Sequence, residues 1–197
     1  MRASPDEWNR LELRVHEVLR GTPLHDVWSV DLPGGRPGLT LSDLQGILSE
    51  RLVRSNAAVR FLFWLRFAIG RVFGWERVRE HKDPPPIFRD RLTESDRKSS
   101  LVPPGTAEGP FRVLYVRPRE SASEIWNATV HAVSSYALVE RADGYRLYWA
   151  IYVRSVGRIT PFYMRLIDPF RRFIVYPALL RAVRAAWMRD FAGAARG

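Results

Sequence analysis

The stretch EIWNATVHAVSSYALVERADGYRLYWAIYVRSV, residues 124–156, decides how the rest of the chain is read. In its second half Tyr145, Leu147, Trp149, Ile151 and Val153 share one side, while Arg146, Tyr148, Ala150, Tyr152 and Arg154 share the other. This is the period of two that marks a β-strand. Asp143-Gly144 before it is the dipeptide of a tight hairpin, so residues 124–140 should run antiparallel to residues 145–156. Both sides of the later strand are aromatic, which suits an inner face that lines a space and an outer face carrying amphipathic tyrosines. Upstream, residues 111–117 predict a third strand, joined through a polar turn at 119–123. A strand over 124–140 exceeds the ordinary length, so a bend or bulge is expected near Ser134 and Ser135, with a strongly curved sheet as the result.

Working outward, residues 160–191 are helical in pattern and interrupted by Pro169 and Pro177, each of which starts a new segment or kinks the helix. Their apolar residues, among them Leu180, Val183 and Trp187, are too many to leave in water. At the other end, Trp8, Leu11, Val15, Val18 and Leu19 predict an amphipathic helix over residues 7–19, part of a helical extension spanning 1–22. Residues 26–32 alternate Val27, Ser29 and Asp31 against Trp28, Val30 and Leu32, a strand presenting Trp28 to a core. A turn-rich loop follows, then Ser42 with Gln45 as a capping box for a helix to residue 53, and a second helix over 56–73. Residues 81–110 hold six of the fourteen prolines and read as a long loop, either a lid or a solvated connection, with a short helix capped by Thr93. The 197 residues form one domain.

The order is strand, two helices, antiparallel meander and long C-terminal helix. It predicts an α+β fold in which a curved sheet wraps the last helix, preceded by an extra N-terminal helix. That order resembles the helix-grip fold of START and Bet v 1-like proteins, in which a cavity lies between sheet and helix. The segments HDVWSVDLPGG, EIWNATVHAVSSYALVE, GYRLYWAIYVRSVG and LIDPFRRFIVYPALLRAVRAAW together resemble a bacterial family of uncharacterised domains, some of which follow a short-chain-dehydrogenase-like NAD(P)-binding domain. The resemblance covers residues 24–187 and implies no activity or catalytic residues. This chain lacks the dinucleotide-binding half, so no redox role carries over.

The residues themselves narrow the chemistry. With no cysteine there is neither a disulfide scaffold nor a thiolate metal site. PGGRPG at residues 33–38 follows a strand as a phosphate-binding loop would, yet it lacks the glycine spacing of either nucleotide motif, and no nucleophile elbow occurs. No cofactor or metal is expected. Four histidines are available as general bases. His16 and His81 lie in a helix and beside the proline loop, and neighbours His25 and Asp26 should point to opposite faces of a strand, which prevents a relay. His131 remains, in the polar row Asn127, Thr129 and His131. That row either faces a cavity, where it orients a ligand or moves a proton, or faces solvent opposite an apolar row. Asp168 reads as a helix cap beside Pro169.

Three functions follow. The first is a binding protein holding a small hydrophobic molecule or lipid, lined by Asn127, Thr129, His131, Trp149, Tyr152 and Tyr163. The second is a cyclase, hydratase or isomerase using His131 with Glu124 or Asn127 in the same cavity. The third is peripheral association with an acidic membrane through Arg171, Arg172, Arg181 and Arg184, with Phe173, Tyr176 or Trp187 entering the interface. The net charge of +10 favours polyanions, but the arginines are scattered from Arg2 to Arg196 rather than gathered in a stripe, which speaks against nucleic acid. The charged first twenty residues lack a signal peptide's apolar run, so a cytoplasmic location is expected. The apolar stretch at 56–75 contains Arg60, Arg66 and Arg71 and is not a convincing span.

Overall fold

The computed structural model describes residues 1–44, 87–126, 130–157 and 159–191. The helix expected at 42–53 beyond residue 44, the helix expected at 56–73, and Asn127, Thr129 and His81 lie outside the described residues. The fold is α+β, built on one six-stranded antiparallel sheet. Its strands are β1 (Leu24–Pro33), β2 (Ala107–Glu108), β3 (Phe111–Val116), β4 (Glu120–Trp126), β5 (His131–Arg141) and β6 (Gly144–Arg154), in the order β1-β6-β5-β4-β3-β2. The first strand therefore pairs with the last, Trp28 opposite Trp149 and Leu32 opposite Tyr145.

The expected hairpin forms at Gly144, whose φ is +144°; a Cβ there would stand 2.4 Å from the carbonyl oxygen of Leu32. The single strand expected over 124–140 is instead two, β4 and β5, closing at Trp126 opposite His131. Ser134 and Ser135 sit in regular ladder positions, and the register shifts lie in β1, between Leu24 and Asp26, and in β3, between Val113 and Tyr115. The turn expected at 119–123 is shorter. Pro118 has no N–H to give a ladder, and the Arg117 N–H already returns to the Glu120 carbonyl at 2.8 Å.

The N-terminal extension also differs. The single helix expected over 7–19 is two short ones, α1 (Pro5–Asn9), with Ser4 as cap, and α2 (Val15–Val18). The Arg14 N–H bonds the Glu120 carboxylate at 2.9 and 3.1 Å instead of a carbonyl four residues back, so one helix cannot run through. The periodic residues Trp8, Val15, Val18 and Leu19 are nevertheless all buried.

They are buried because the sheet is covered on both faces. One face carries Trp28, Val30, Leu32, Tyr145, Leu147 and Ile151 against the C-terminal helix. The other carries Val27, Tyr115, Ala122, Val133, Tyr148 and Tyr152 beneath α1, α2 and the segment holding Phe88 and Leu92. That segment continues through a 3-10 turn (Arg89–Arg91) into α3 (Glu94–Ser99), which Thr93 caps as expected, its hydroxyl and the Asp96 carboxylate bonding reciprocally.

The C-terminal region is continuous rather than broken: α4 (Ile159–Phe170), a π-helical turn (Arg171–Val175) and α5 (Tyr176–Asp190), with Pro169 inside α4 and Pro177 in the first turn of α5. The buried positions explain the wide turn. From Ile167 an unbroken repeat would bring 171, 174 and 178 back to the sheet. The residues that return are Val175 and Tyr176, then Leu180, Val183 and Trp187. The π turn absorbs this slip and keeps one face of the helix on the sheet. Among the described residues no helix is long and apolar enough to cross a membrane.

Candidate functional site

Cross-strand pairing sets Trp28, Trp149, Tyr136 and Ser121 in one row across the face that the C-terminal helix covers. Tyr176, at the start of α5, drops its ring between the two tryptophans, with centroids 5.1 Å from Trp28 and 4.9 Å from Trp149. Trp149 in turn stacks on Tyr136 at 5.8 Å and donates from Nε1 to Ser134 Oγ at 2.7 Å. The result is an aromatic ladder running from β1 onto the centre of the sheet. α5 packs chiefly over β1. Further along the same face Ser121, Ser123, Ile125, Ala132, Ser134 and Tyr136 are only half-buried. The indole N–H of Trp28 is buried with no hydrogen-bond partner among the described residues, the Tyr176 hydroxyl is buried beside the Arg171 guanidinium, and burial pushes the Tyr176 phenol well above its ordinary pKa.

A charged cluster closes the β1 end of this ladder. The register shift beside Leu24 turns His25 and Asp26 toward the same side, which overturns the expectation that they face apart. His25 Nε2 lies 2.9 Å from Asp168 Oδ2 and 3.5 Å from Asp26 Oδ2. Arg172 Nε stands 3.3 Å from Asp26 Oδ1, Arg2 Nη2 3.7 Å from the same oxygen, and Arg171 Nη1 3.1 Å from Asp168 Oδ1. Asp168 is thus an ion-pair partner near the end of α4 and not a cap. Burial works against its ionisation, but the His25 hydrogen bond and the two following arginines outweigh that and hold its carboxyl below the usual range. The Asp26 carboxylate is fully buried, and neither oxygen accepts a hydrogen bond from any described residue. By distance His25, Asp26 and Asp168 could span a cation. Three guanidiniums already sit on the two carboxylates, so the local charge argues against a dication.

His131 lies on the opposite face, 1% exposed, with Nε2 2.8 Å from the Oε2 of a fully buried Glu124. The Phe88 ring covers the imidazole at 4.7 Å, and Arg89 Nε is 3.6 Å from Glu124 Oε1. His131 Nδ1 has no hydrogen-bond partner among the described residues. Tyr152 belongs to this face too, and its hydroxyl accepts a 2.8 Å bond from Trp8 Nε1. Tyr163, by contrast, packs from α4 with Val130, Met164 and Ile167 against Ala132 and Val153 on the helix-covered face.

The lining expected from sequence is therefore divided: Trp149 and Tyr163 lie on the helix-covered face, His131 and Tyr152 behind the sheet. Trp28, Tyr136 and Tyr176 were missed as a group. Strand parity carried a signal for Trp28, which shares its side with Val30 and Leu32 and alternates with Ser29 and Asp31, but none for Tyr136, whose opposite side Val133, Ser135 and Ala137 is no more polar than its own.

A family model described as a protein of unknown function (DUF2867) matches residues 18–178. No curated protein matches the chain.

Proposed function

Because the chain belongs to the DUF2867 family, whose description assigns no activity, its function has to be read from its own geometry, and we propose that it holds a small hydrophobic or amphipathic molecule, such as a lipid, between the sheet and the C-terminal helix in the manner of START-like helix-grip proteins. The observation that carries this reading is the aromatic ladder Trp28, Tyr176, Trp149 and Tyr136, which leads onto a half-buried face. An apolar aromatic lining with a few polar groups is what a small-molecule site requires, and the Trp28 N–H, without a hydrogen-bond partner among the described residues, is such a group. The pairing of first strand with last, under a long C-terminal helix, supports the helix-grip comparison.

The test is native mass spectrometry of the freshly purified full chain, with a titration of oleate followed by tryptophan fluorescence. A mass above that of the chain, lost on solvent extraction, and a saturable fluorescence change weakened in Trp149→Ala are expected. A bare mass together with no saturable response in the unaltered protein would sink the proposal.

A second reading, acid–base chemistry at Glu124 and His131, is favoured by their 2.8 Å contact and by the imidazole nitrogen left without a partner. Its first test is stability. His131→Gln should melt close to the parent temperature if the histidine is held for chemistry. A loss of about 3 to 5 kcal/mol, the penalty for stranding one member of a buried charged pair, would assign it to the core.

A further inference from the structure

The residues that the C-terminal helix buries fix what it shows outward. With Tyr163, Met164 and Ile167 on α4 and Tyr176, Leu180, Val183 and Trp187 on α5 turned to the sheet, Phe173, Ile174 and Met188 project away from it, 80%, 42% and 46% exposed. Tyr176 and Trp187, expected at a membrane interface from sequence, are 3% and 0% exposed and are not available to one. On the same helix Arg165, Arg181, Arg184 and Arg189 are exposed and make no ion pair among the described residues. Arg171 and Arg172, by contrast, are bound to Asp168 and Asp26. The acids of this helix are Asp168, held inward, and Asp190 at its last turn.

We propose that the outer face of the C-terminal helix docks on an anionic lipid bilayer. Phe173, Ile174 and Met188 enter the headgroup boundary, while Arg165, Arg181, Arg184 and Arg189 reach lipid phosphates. Exposed apolar side chains beside exposed guanidiniums are the two contributions by which a surface-lying helix binds such a membrane. A zwitterionic surface would satisfy the first alone. The sheet holds the helix in shape before contact, so docking pays no cost of folding it. The wide π turn is what places Phe173 and Ile174 on the outward side between two inward-facing segments.

The experiment is sedimentation of the full chain with phosphatidylcholine vesicles, with and without about a third of phosphatidylglycerol, at low and high salt. Binding to the anionic vesicles that weakens with salt is expected. Arg181→Gln with Arg184→Gln should weaken it about 25-fold, at about fivefold per arginine, and Phe173→Ser about tenfold. All three positions are exposed, so these variants should melt as the parent does. Arg10→Gln with Arg154→Gln, exposed arginines outside this helix, should leave binding within about twofold. Equal affinity for both vesicles, no binding to either, or an equal loss in the Arg10 and Arg154 control would overturn the proposal, the last by showing that net charge acts without this face.

Discussion

Gly35 and Trp187 form a lock between the loop after β1 and α5, and they yield a prediction whose two energetic parts can be separated. Gly35 has φ +89°, and a Cβ built on it would lie 2.8 Å from Trp187 Cζ2 and 3.1 Å from Cη2. Trp187 has no room to retreat. It is fully buried, stacks on Phe191 at 4.7 Å, meets Tyr145 at 5.8 Å and donates from Nε1 to the Pro33 carbonyl at 2.9 Å. Gly35→Ala therefore carries two costs: about 1 to 2 kcal/mol for a left-handed backbone with a side chain, and about 1 to 3 kcal/mol for overpacking against the indole. Trp187→Leu removes the atoms that clash, and alone should cost about 2 to 4 kcal/mol for lost burial and the hydrogen bond.

The double variant distinguishes these parts. In the Trp187→Leu background the backbone cost of Gly35→Ala and its 3.1 Å approach to Leu39 Cδ1 should persist while the clash with the indole is gone, so the two substitutions should be less than additive by about 1 to 3 kcal/mol. Urea unfolding of the four proteins measures this, with unchanged m-values as the check that each still unfolds as one unit. Additivity within about 0.5 kcal/mol, or a neutral Gly35→Ala in the parent, would refute the steric lock.

Asp96 ties three elements together, accepting from the Thr93 N–H and hydroxyl at 2.8 Å, from Arg14 at 2.8 and 3.1 Å and from Arg117 at 2.6 Å. Asp96→Ala should cost about 3 kcal/mol and speed proteolysis around residues 89–100, read by limited trypsin digestion. Burial opposes ionisation of both Asp96 and Asp168, yet their hydrogen bonds and cations hold both pKa values below the ordinary value. Their stabilisation is therefore complete above the unfolded-state pKa of about 3.9 and is lost as pH falls through the lower folded values. Urea midpoints should accordingly show no pH dependence from this pair between about pH 5 and 7, where its contribution is complete, and a fall below about pH 4, smaller in Asp168→Asn. Gly144→Ala should lower stability by about 2 to 4 kcal/mol, because its Cβ would meet the Leu32 oxygen at 2.4 Å and the Gly34 nitrogen at 2.7 Å; a thermal melt within a degree or two of the parent would contradict the close approach.

What the sequence disclosed and what it withheld divide along local and non-local causes. Asp143-Gly144, the alternation in β6 and the Thr93 cap are short-range signals, and each appears where its chemistry requires it. β4 ends at Trp126 and β5 begins at His131, and the sequence between them carries no Gly or Pro, so nothing local distinguished two strands from one. Two-sided burial was hidden for a related reason. Ser29 is buried beside Val27, yet Val27, Ser29 and Asp31 read in order resemble a solvent face, because the cover comes from α1 and residues 87–92 far along the chain. The lining residues failed on parity alone. Trp149 and Tyr152 stand three apart in one strand and must face opposite ways, so a single cavity could not hold both. The charged cluster is the hardest case, since His25 and Asp26 share a side only through a register shift set by pairing with Ile151 and Tyr152. Its partner Asp168 reaches them because the wide turn after α4 keeps the helix in phase with the sheet. The phase slip between Ile167 and Tyr176 is itself present in the spacing of apolar residues. Read that way, the sequence places Phe173 and Ile174 outward and Tyr176 inward, which puts the exposed and the ladder-forming aromatics of one helix on opposite sides.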